Sequence, residues 1–136
     1  MTLTARAALT GISLASALAM LYVGAYQIRA IEHMSCPLLK GGCEAVADAP
    51  FARPFGIPDG FIAAALYAVI VTVAWLAPWV VPNAAPTRYV IRGFAILAAV
   101  ANGLGVFDMA RFGAYCFYCL LTTLLAPFLV WAAFRI

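Results

Sequence analysis

Four long apolar segments follow one another along the chain, separated by stretches rich in polar residues, proline and glycine. They cover about residues 5–28, 60–80, 89–107 and 115–134 and are apolar around the whole helix circumference. An α-helix needs about 20 apolar residues to cross a bilayer, and a helix of a soluble bundle would show a polar face. The pattern predicts an all-α membrane protein, a four-transmembrane-helix bundle that forms a single domain over residues 1–136.

The first segment has an alternative interpretation as a signal peptide. Arg6 precedes the apolar core, and Ala17-Leu18-Ala19 is similar to a cleavage site. The apolar run continues to Tyr26, which is longer than a signal core needs. A retained helix is therefore the favoured interpretation.

Composition agrees with the membrane assignment. About 67% of the 136 residues are hydrophobic and 10% are charged, too few charges for the surface of a soluble domain of this size. The formal charge of +3 comes from basic residues that are scattered beside the apolar segments. Because they form no patch, nucleic-acid binding is not expected.

The connector at residues 29–58 is the longest polar stretch. Its prolines and glycines exclude one continuous helix. Loops of this length are usually functional or disordered, and aromatic residues such as Phe51 and Phe55 argue against disorder. We expect a folded loop with a function of its own.

The number of membrane spans places the four cysteines of the chain on one side of the membrane. With four spans, the connectors at 29–58 and 108–114 must lie on the same side of the membrane. Cys36 and Cys43 belong to the first connector, and Cys116 and Cys119 stand at the entrance to the fourth helix. Both cysteine pairs therefore share one face, whichever way the protein is inserted.

The side of the membrane follows from loop lengths rather than from charge. The eight Lys and Arg residues divide evenly between the two faces, while all five acidic residues fall on the cysteine face. Short loops carry most weight in the positive-inside rule, and the face with the shorter turn and tails is therefore placed in the cytoplasm. The cysteines then face the periplasm or its equivalent, where disulfides persist.

The Cys116–Cys119 pair has the most specific chemistry. Cysteines at positions i and i+3 share one side of a helix and can close a readily exchanged disulfide. At a helix N-terminus the unpaired amides favour a thiolate, which makes Cys116 the better nucleophile. The alternatives are a metal site, which would need more ligands than this pair offers, and cysteines that pack as small hydrophobes. Redox chemistry is favoured and no metal is predicted.

The loop pair, taken alone, is equally consistent with a static structural disulfide. Glycines beside Cys43 would allow a close or mobile approach to another sulfur, and the second pair on the same face favours thiol exchange. The sequence has no haem, flavin or dinucleotide signature. By elimination, a quinone dissolved in the membrane is the expected electron acceptor.

Several segments taken together resemble the vitamin K epoxide reductase (VKOR) family. They are Cys43-Glu44-Ala45-Val46, Pro50-Phe51-Ala52, Phe55-Gly56-Ile57-Pro58, Ala63-Ala64-Ala65-Leu66-Tyr67 and Cys116-Phe117-Tyr118-Cys119-Leu120-Leu121-Thr122. The resemblance implies a four-helix bundle around a quinone, capped by a short helix of the loop. It also implies that Cys119 faces the quinone and that Cys116 exchanges with Cys43. Cys36 would complete the loop disulfide that meets a thioredoxin-like partner.

The expected quinone pocket is formed by Phe55, Phe117, Tyr118 and Asn102. For Asn102, a hydrogen bond between helices is the favoured role and quinone contact the alternative, because an amide inside a span is costly unless satisfied. The chain departs from many family members at Ala49, where they have a serine or threonine near the quinone. No thioredoxin-like domain follows in the sequence, so the partner is expected to be a separate protein.

The predicted function is that of a membrane thiol:quinone oxidoreductase. It would reoxidise a thioredoxin-like partner, use ubiquinone or menaquinone, and support disulfide formation in exported proteins. One alternative is a DsbB-type disulfide oxidase, although there the two kinds of cysteine pair would occur in the reverse order. Another is a metal transporter of the mercury type, which would also use cysteine pairs near helices.

Overall fold

The computed structural model describes residues 3–36, 41–80 and 82–136, with helices as the regular elements of these ranges. The helices are α1 (Leu3–Gln27), α2 (Gly42–Ala47), α3 (Asp59–Val80), α4 (Ala84–Phe112) and α5 (Phe117–Arg135), with 3₁₀ turns at Pro50–Ala52 and Pro54–Gly56. The predicted all-α fold is confirmed.

Four of these helices, α1, α3, α4 and α5, are long and apolar enough to cross a bilayer. The chain is therefore a multi-pass membrane protein. Helix α1 packs against α3 and α5, and α4 packs against α3 and α5. The backbones of α1 and α3 approach each other closely at Gly24 and Gly60. A Cβ on Gly60 would lie 2.6 Å from the backbone nitrogen of Gly24. Small residues allow such backbone proximity in membrane helices.

Helix α4 extends beyond the predicted span of 89–107 at both ends. It begins at Ala84 because the side chain of Asn83 accepts a hydrogen bond from the amide of Ala85 at 3.1 Å. Pro86 fits the first turn, where its missing N–H is not needed. The helix ends at Phe112 and is capped by Gly113, whose φ of 88° is left-handed and whose amide donates to the carbonyl of Met109. The connector between α4 and α5 is thus shorter than the predicted 108–114.

The connector at 29–58 is folded across one end of the bundle, as expected, and contains α2 and the two 3₁₀ turns. Gln27, the last residue of α1, fastens it in place. Its side-chain amide donates to the carbonyls of Ala47 and Ala52 and to the carboxylate of Asp59, while its oxygen accepts from the amide of Gly60. Residues 37–40 of the predicted redox loop lie outside the described residues.

A second set of bonds ties the loop to α1. The Tyr26 hydroxyl donates to the carboxylate of Asp48 at 2.8 Å, and Arg29 forms an ion pair with the same carboxylate at 3.1 Å. Arg53 donates to the carbonyl of Gln27 at 3.0 Å. The end of α1 therefore fixes α2 and the turns that follow it, and this positions Cys43.

Candidate functional site

The four cysteines are found at one end of the bundle in two oxidation states. Cys36 and Cys43 form a disulfide with 5.8 Å between their Cα atoms, and Cys116 and Cys119 are free thiols. Cys43 and Cys116 are fully buried, whereas Cys36 and Cys119 are partly exposed. The two pairs therefore differ in access as well as in oxidation state.

Helix α2 holds Cys43 against the start of α5. A Cβ on Gly42 would overlap the carbonyl oxygen of Tyr115, so only glycine permits this approach. The backbone amide of Phe117, the first residue of α5, donates to the Cys43 sulfur at 3.3 Å. The buried sulfur of the loop disulfide thus lies at the helix end that begins with Cys116.

Cys116 is the N-cap of α5, and its sulfur accepts a hydrogen bond from the amide of Cys119 at 3.3 Å. The pKa of Cys116 is lowered from its ordinary value, chiefly by a hydrogen bond from the Cys119 thiol and further by the amides of Cys119 and Tyr118, while burial opposes the shift. Hydrogen bonds to the charged form favour the thiolate. The lowered pKa therefore suits Cys116 to act as a nucleophile and as a leaving group.

A cavity of about 450 Å³ opens beside Cys119, within the range of small-molecule sites. The loop and all four long helices contribute to its walls, which are largely apolar. Its polar lining residues are Asp59, Tyr67, Asn102, Asp108, Thr122 and Thr123. Of the four cysteines, Cys119 is the one that lines this cavity.

Four of the polar lining residues, Tyr67, Asn102, Thr122 and Thr123, form one hydrogen-bond network across three helices. The Asn102 amide nitrogen donates to the Tyr67 hydroxyl at 3.1 Å, and its oxygen accepts from Thr122 at 2.9 Å. The hydroxyls of Thr122 and Thr123 are also within 2.9 and 2.7 Å of the Cys119 carbonyl. Asn102 therefore connects α3, α4 and α5 while bordering the cavity, and its second amide hydrogen is taken by the Ala98 carbonyl at 2.8 Å.

The residues present fit a quinone. A planar ring with two carbonyls suits an apolar cavity with a few convergent donors, and Tyr67, Thr122 and Thr123 bring hydroxyls to the wall. Ala49 is buried and does not line the cavity. The hydroxyls in this chain therefore come from α3 and α5 rather than from the loop.

Three residues expected in the quinone pocket lie elsewhere. Phe55 is 99% exposed, because the backbone turns there with a φ of 59° and directs the ring outwards. Phe117 packs in the apolar cluster around Cys43, and the Tyr118 hydroxyl reaches the carbonyl of Ser35. Successive residues of a helix turn by about 100°, so these two point away from the side of α5 that carries Cys119.

Sequence reasoning missed several residues of the site. Thr122 and Thr123 follow Cys119 by three and four positions, which places them on the same helix face, and this spacing was available from the sequence. Tyr67 and Asp59 had no comparable signal. Among the described residues, no three His, Cys, Asp or Glu side chains come together to hold a metal ion.

Comparison with known proteins identifies the family. The model of the vitamin K epoxide reductase family matches residues 7–134, nearly the whole chain. Searches of curated proteins and of solved structures gave no match. The family consists of oxidoreductases and in general couples membrane thiol oxidation to a quinone, which agrees with cysteine pairs that adjoin an apolar cavity. By its sequence over this range, the chain belongs to the vitamin K epoxide reductase family.

Proposed function

We propose that this protein oxidises a thioredoxin-like partner and passes the electrons through its two cysteine pairs to a quinone in the cavity. The observation that carries the proposal is that both pairs lie at the start of α5. The buried sulfur of the loop disulfide accepts the first amide of α5, Cys116 is the N-cap of that helix, and Cys119 in its first turn lines the cavity. Family membership supports the general reaction.

Electrons enter at Cys36, the more accessible sulfur of the loop disulfide. A thiolate of the partner attacks Cys36, the Cys36–Cys43 bond breaks, and Cys43 leaves as a thiolate. The Phe117 amide and the helix N-terminus stabilise that negative charge. The second thiolate of the partner then attacks the mixed disulfide and releases Cys36, so the partner is oxidised and the loop pair is reduced.

The helix pair, when oxidised, takes these electrons from the loop. Cys43 attacks Cys116, and Cys119 leaves as a thiolate. Cys36 then attacks Cys43, the loop disulfide forms again, and Cys116 leaves with its lowered pKa, which favours departure. The disulfide at Cys36–Cys43 together with free Cys116 and Cys119 is the state expected after this transfer.

Tyr67, Thr122 and Thr123 would hold a quinone in the cavity, and the quinone would supply the acceptor for the two electrons and two protons that Cys116 and Cys119 lose as they close to a disulfide. Cys119 is the thiol at the wall. The Asn102 network holds Tyr67, Thr122 and Thr123 in fixed positions, where hydroxyls can orient the ring.

Loop lengths favour an orientation with the cysteines on the periplasmic or exterior side of a bacterial inner membrane. Reoxidation of a thioredoxin-like protein there would supply disulfides to exported proteins. Ubiquinone or menaquinone is the expected acceptor.

Steady-state quinone reduction by the purified protein in lipid nanodiscs tests the proposal. With a reduced thioredoxin-like donor and a short-chain quinone, wild-type protein should form quinol. The conversion of quinone to quinol is measured by the change in absorbance. Cys36→Ser, Cys43→Ser, Cys116→Ser and Cys119→Ser should each abolish it. A metal carrier would form no quinol in any variant, and quinol formation that survives Cys119→Ser would contradict the proposed route.

A further inference from the structure

Two tyrosines hold the residue that precedes the accessible loop cysteine. The amide of Ser35 donates to the Tyr22 hydroxyl at 2.9 Å, and the Tyr118 hydroxyl donates to the carbonyl of Ser35 at 2.6 Å. The two rings support each other in an edge-to-face arrangement with centroids 5.2 Å apart. Tyr22 belongs to α1 and Tyr118 to α5; together they are named the tyrosine clamp.

The clamp joins the loop pair to the helix pair without using a sulfur. Ser35 is adjacent to Cys36, and Tyr118 lies between Cys116 and Cys119. A third bond holds the same segment, from the amide of Met34 to the carboxylate of Glu44 in α2 at 2.9 Å. None of these bonds depends on the Cys36–Cys43 disulfide, so they can persist when it is open.

An open loop disulfide creates a specific need in the proposed function. After Cys43 has bonded to Cys116, Cys36 must reach the Cys43 sulfur to complete the transfer. A thiolate kept near its target reacts as an intramolecular group at high effective concentration, whereas a free loop end must first find its target. Cys36 is only partly buried and packs at the margin of the apolar cluster around Cys43, so the bonds to Ser35 add a second restraint on its position.

We infer that the tyrosine clamp positions Cys36 for this second attack. In that step the Cys36 thiolate attacks the Cys43 sulfur, the Cys36–Cys43 bond forms, the Cys43–Cys116 bond breaks, and Cys116 leaves as a thiolate. Two electrons move from the loop to the helix pair, and no other reactant is needed. Tyr22 and Tyr118 are thus positioning residues, and the inference rests on the proposed function.

Tyr118→Phe is the direct test, because it keeps the ring and removes the hydroxyl. Because one hydrogen bond is lost, we expect the steady-state rate of quinol formation with the reduced partner to fall about three- to tenfold. Protein quenched during turnover with N-ethylmaleimide should contain more of the Cys43–Cys116 disulfide than wild type, as measured by peptide mass spectrometry. Tyr22→Phe should act in the same direction.

The first turnover separates positioning from general damage. Protein that starts with an intact loop disulfide should still oxidise one equivalent of partner at the wild-type rate, because attack on Cys36 precedes the need for the clamp. Tyr89→Phe is the matched control. Tyr89 is 72% exposed and lies near the start of α4, so the substitution should change neither quinol formation nor the Cys43–Cys116 fraction.

Two outcomes would overturn the inference while leaving the proposed function intact. In one, Tyr118→Phe leaves turnover and the Cys43–Cys116 fraction unchanged. In the other, it slows the first and later turnovers equally without accumulation of that disulfide, as a general structural defect would. Failure of the proposed function is distinguishable, since wild-type protein would then form no quinol from the reduced partner.

Discussion

The position and reactivity of Cys116 are set by its backbone conformation and by the hydrogen bonds of its sulfur and amide. Its backbone is extended, with φ of −97° and ψ of 125°, so its side chain caps the helix that follows. The sulfur accepts the amide of Cys119, and its own amide donates to the Met109 sulfur at 3.3 Å. These contacts hold the sulfur in the apolar cluster that also contains Cys43 and favour its thiolate despite complete burial.

The pH dependence of alkylation tests this environment. The pKa of Cys116 is lowered mainly by Cys119, so its thiolate should form at a lower pH than that of an ordinary cysteine, and Cys119→Ala should move the midpoint upwards. Iodoacetamide labelling of Cys116 across pH 6–10, with the loop disulfide intact to protect Cys36 and Cys43, measures the midpoint by mass spectrometry. An unchanged midpoint in Cys119→Ala would show that the helix pair does not tune its own reactivity.

For single residues, the sequence predicted the need for hydrogen-bond partners better than it predicted where a side chain points. The cost of an amide inside a span indicated that Asn102 needs partners, and it has them in Tyr67 and Thr122. Phe117 and Tyr118 were expected in the pocket because they adjoin Cys119, although helix geometry turns adjacent residues apart. Gln27 could not be foreseen as the anchor of the loop, because its partners are carbonyls 20 and 25 positions away.

Among the elements, α2 is the one whose placement decides whether the cysteine pairs meet. It has six residues, too few to be stable alone, so its position depends on Gly42 against Tyr115 and on the bonds from the end of α1. Such a short helix in a loop rich in glycine and proline has no periodic signal. The long helices, in contrast, were predictable from apolar length, and the extra turns of α4 follow from caps at Asn83 and Gly113.

Gly42→Ala should move α2 away from α5. The added Cβ would overlap the Tyr115 carbonyl, and a displacement of this kind should reduce partner-driven quinol formation by roughly tenfold or more. Gly103→Ala is the matched control, because a Cβ at that position meets nothing within 4 Å. Wild-type turnover in Gly42→Ala would mean that the contact between α2 and α5 is not needed for transfer.

In the molecule as a whole, the four sulfurs form a series that leads from the protein surface to the cavity. Cys36 is partly exposed at the loop, Cys43 and Cys116 are buried between the loop and α5, and Cys119 reaches the cavity inside the bundle. The sequence could place both pairs on one face through helix parity. It could not show which cysteine borders the cavity, because the cavity is formed by helices and loop segments distant in sequence.

The orientation of the bundle is a separate prediction. Short loops and tails place the turn near residues 82–86 in the cytoplasm. A cytoplasmic reporter, such as green fluorescent protein, inserted there should be active, and alkaline phosphatase inserted at the same point should not be. The reverse result would place the cysteines in the cytoplasm and remove the proposed link to exported proteins.

A single-turnover reaction tests the central claim most directly. Protein prepared as in this structure, with the Cys36–Cys43 disulfide closed and Cys116 and Cys119 reduced, is mixed with excess quinone in the absence of any donor. The expected result is one quinol per protein and closure of the Cys116–Cys119 disulfide. If no quinol forms, or if quinol forms while Cys116 and Cys119 remain free thiols, the electrons do not leave through this pair and the account is contradicted.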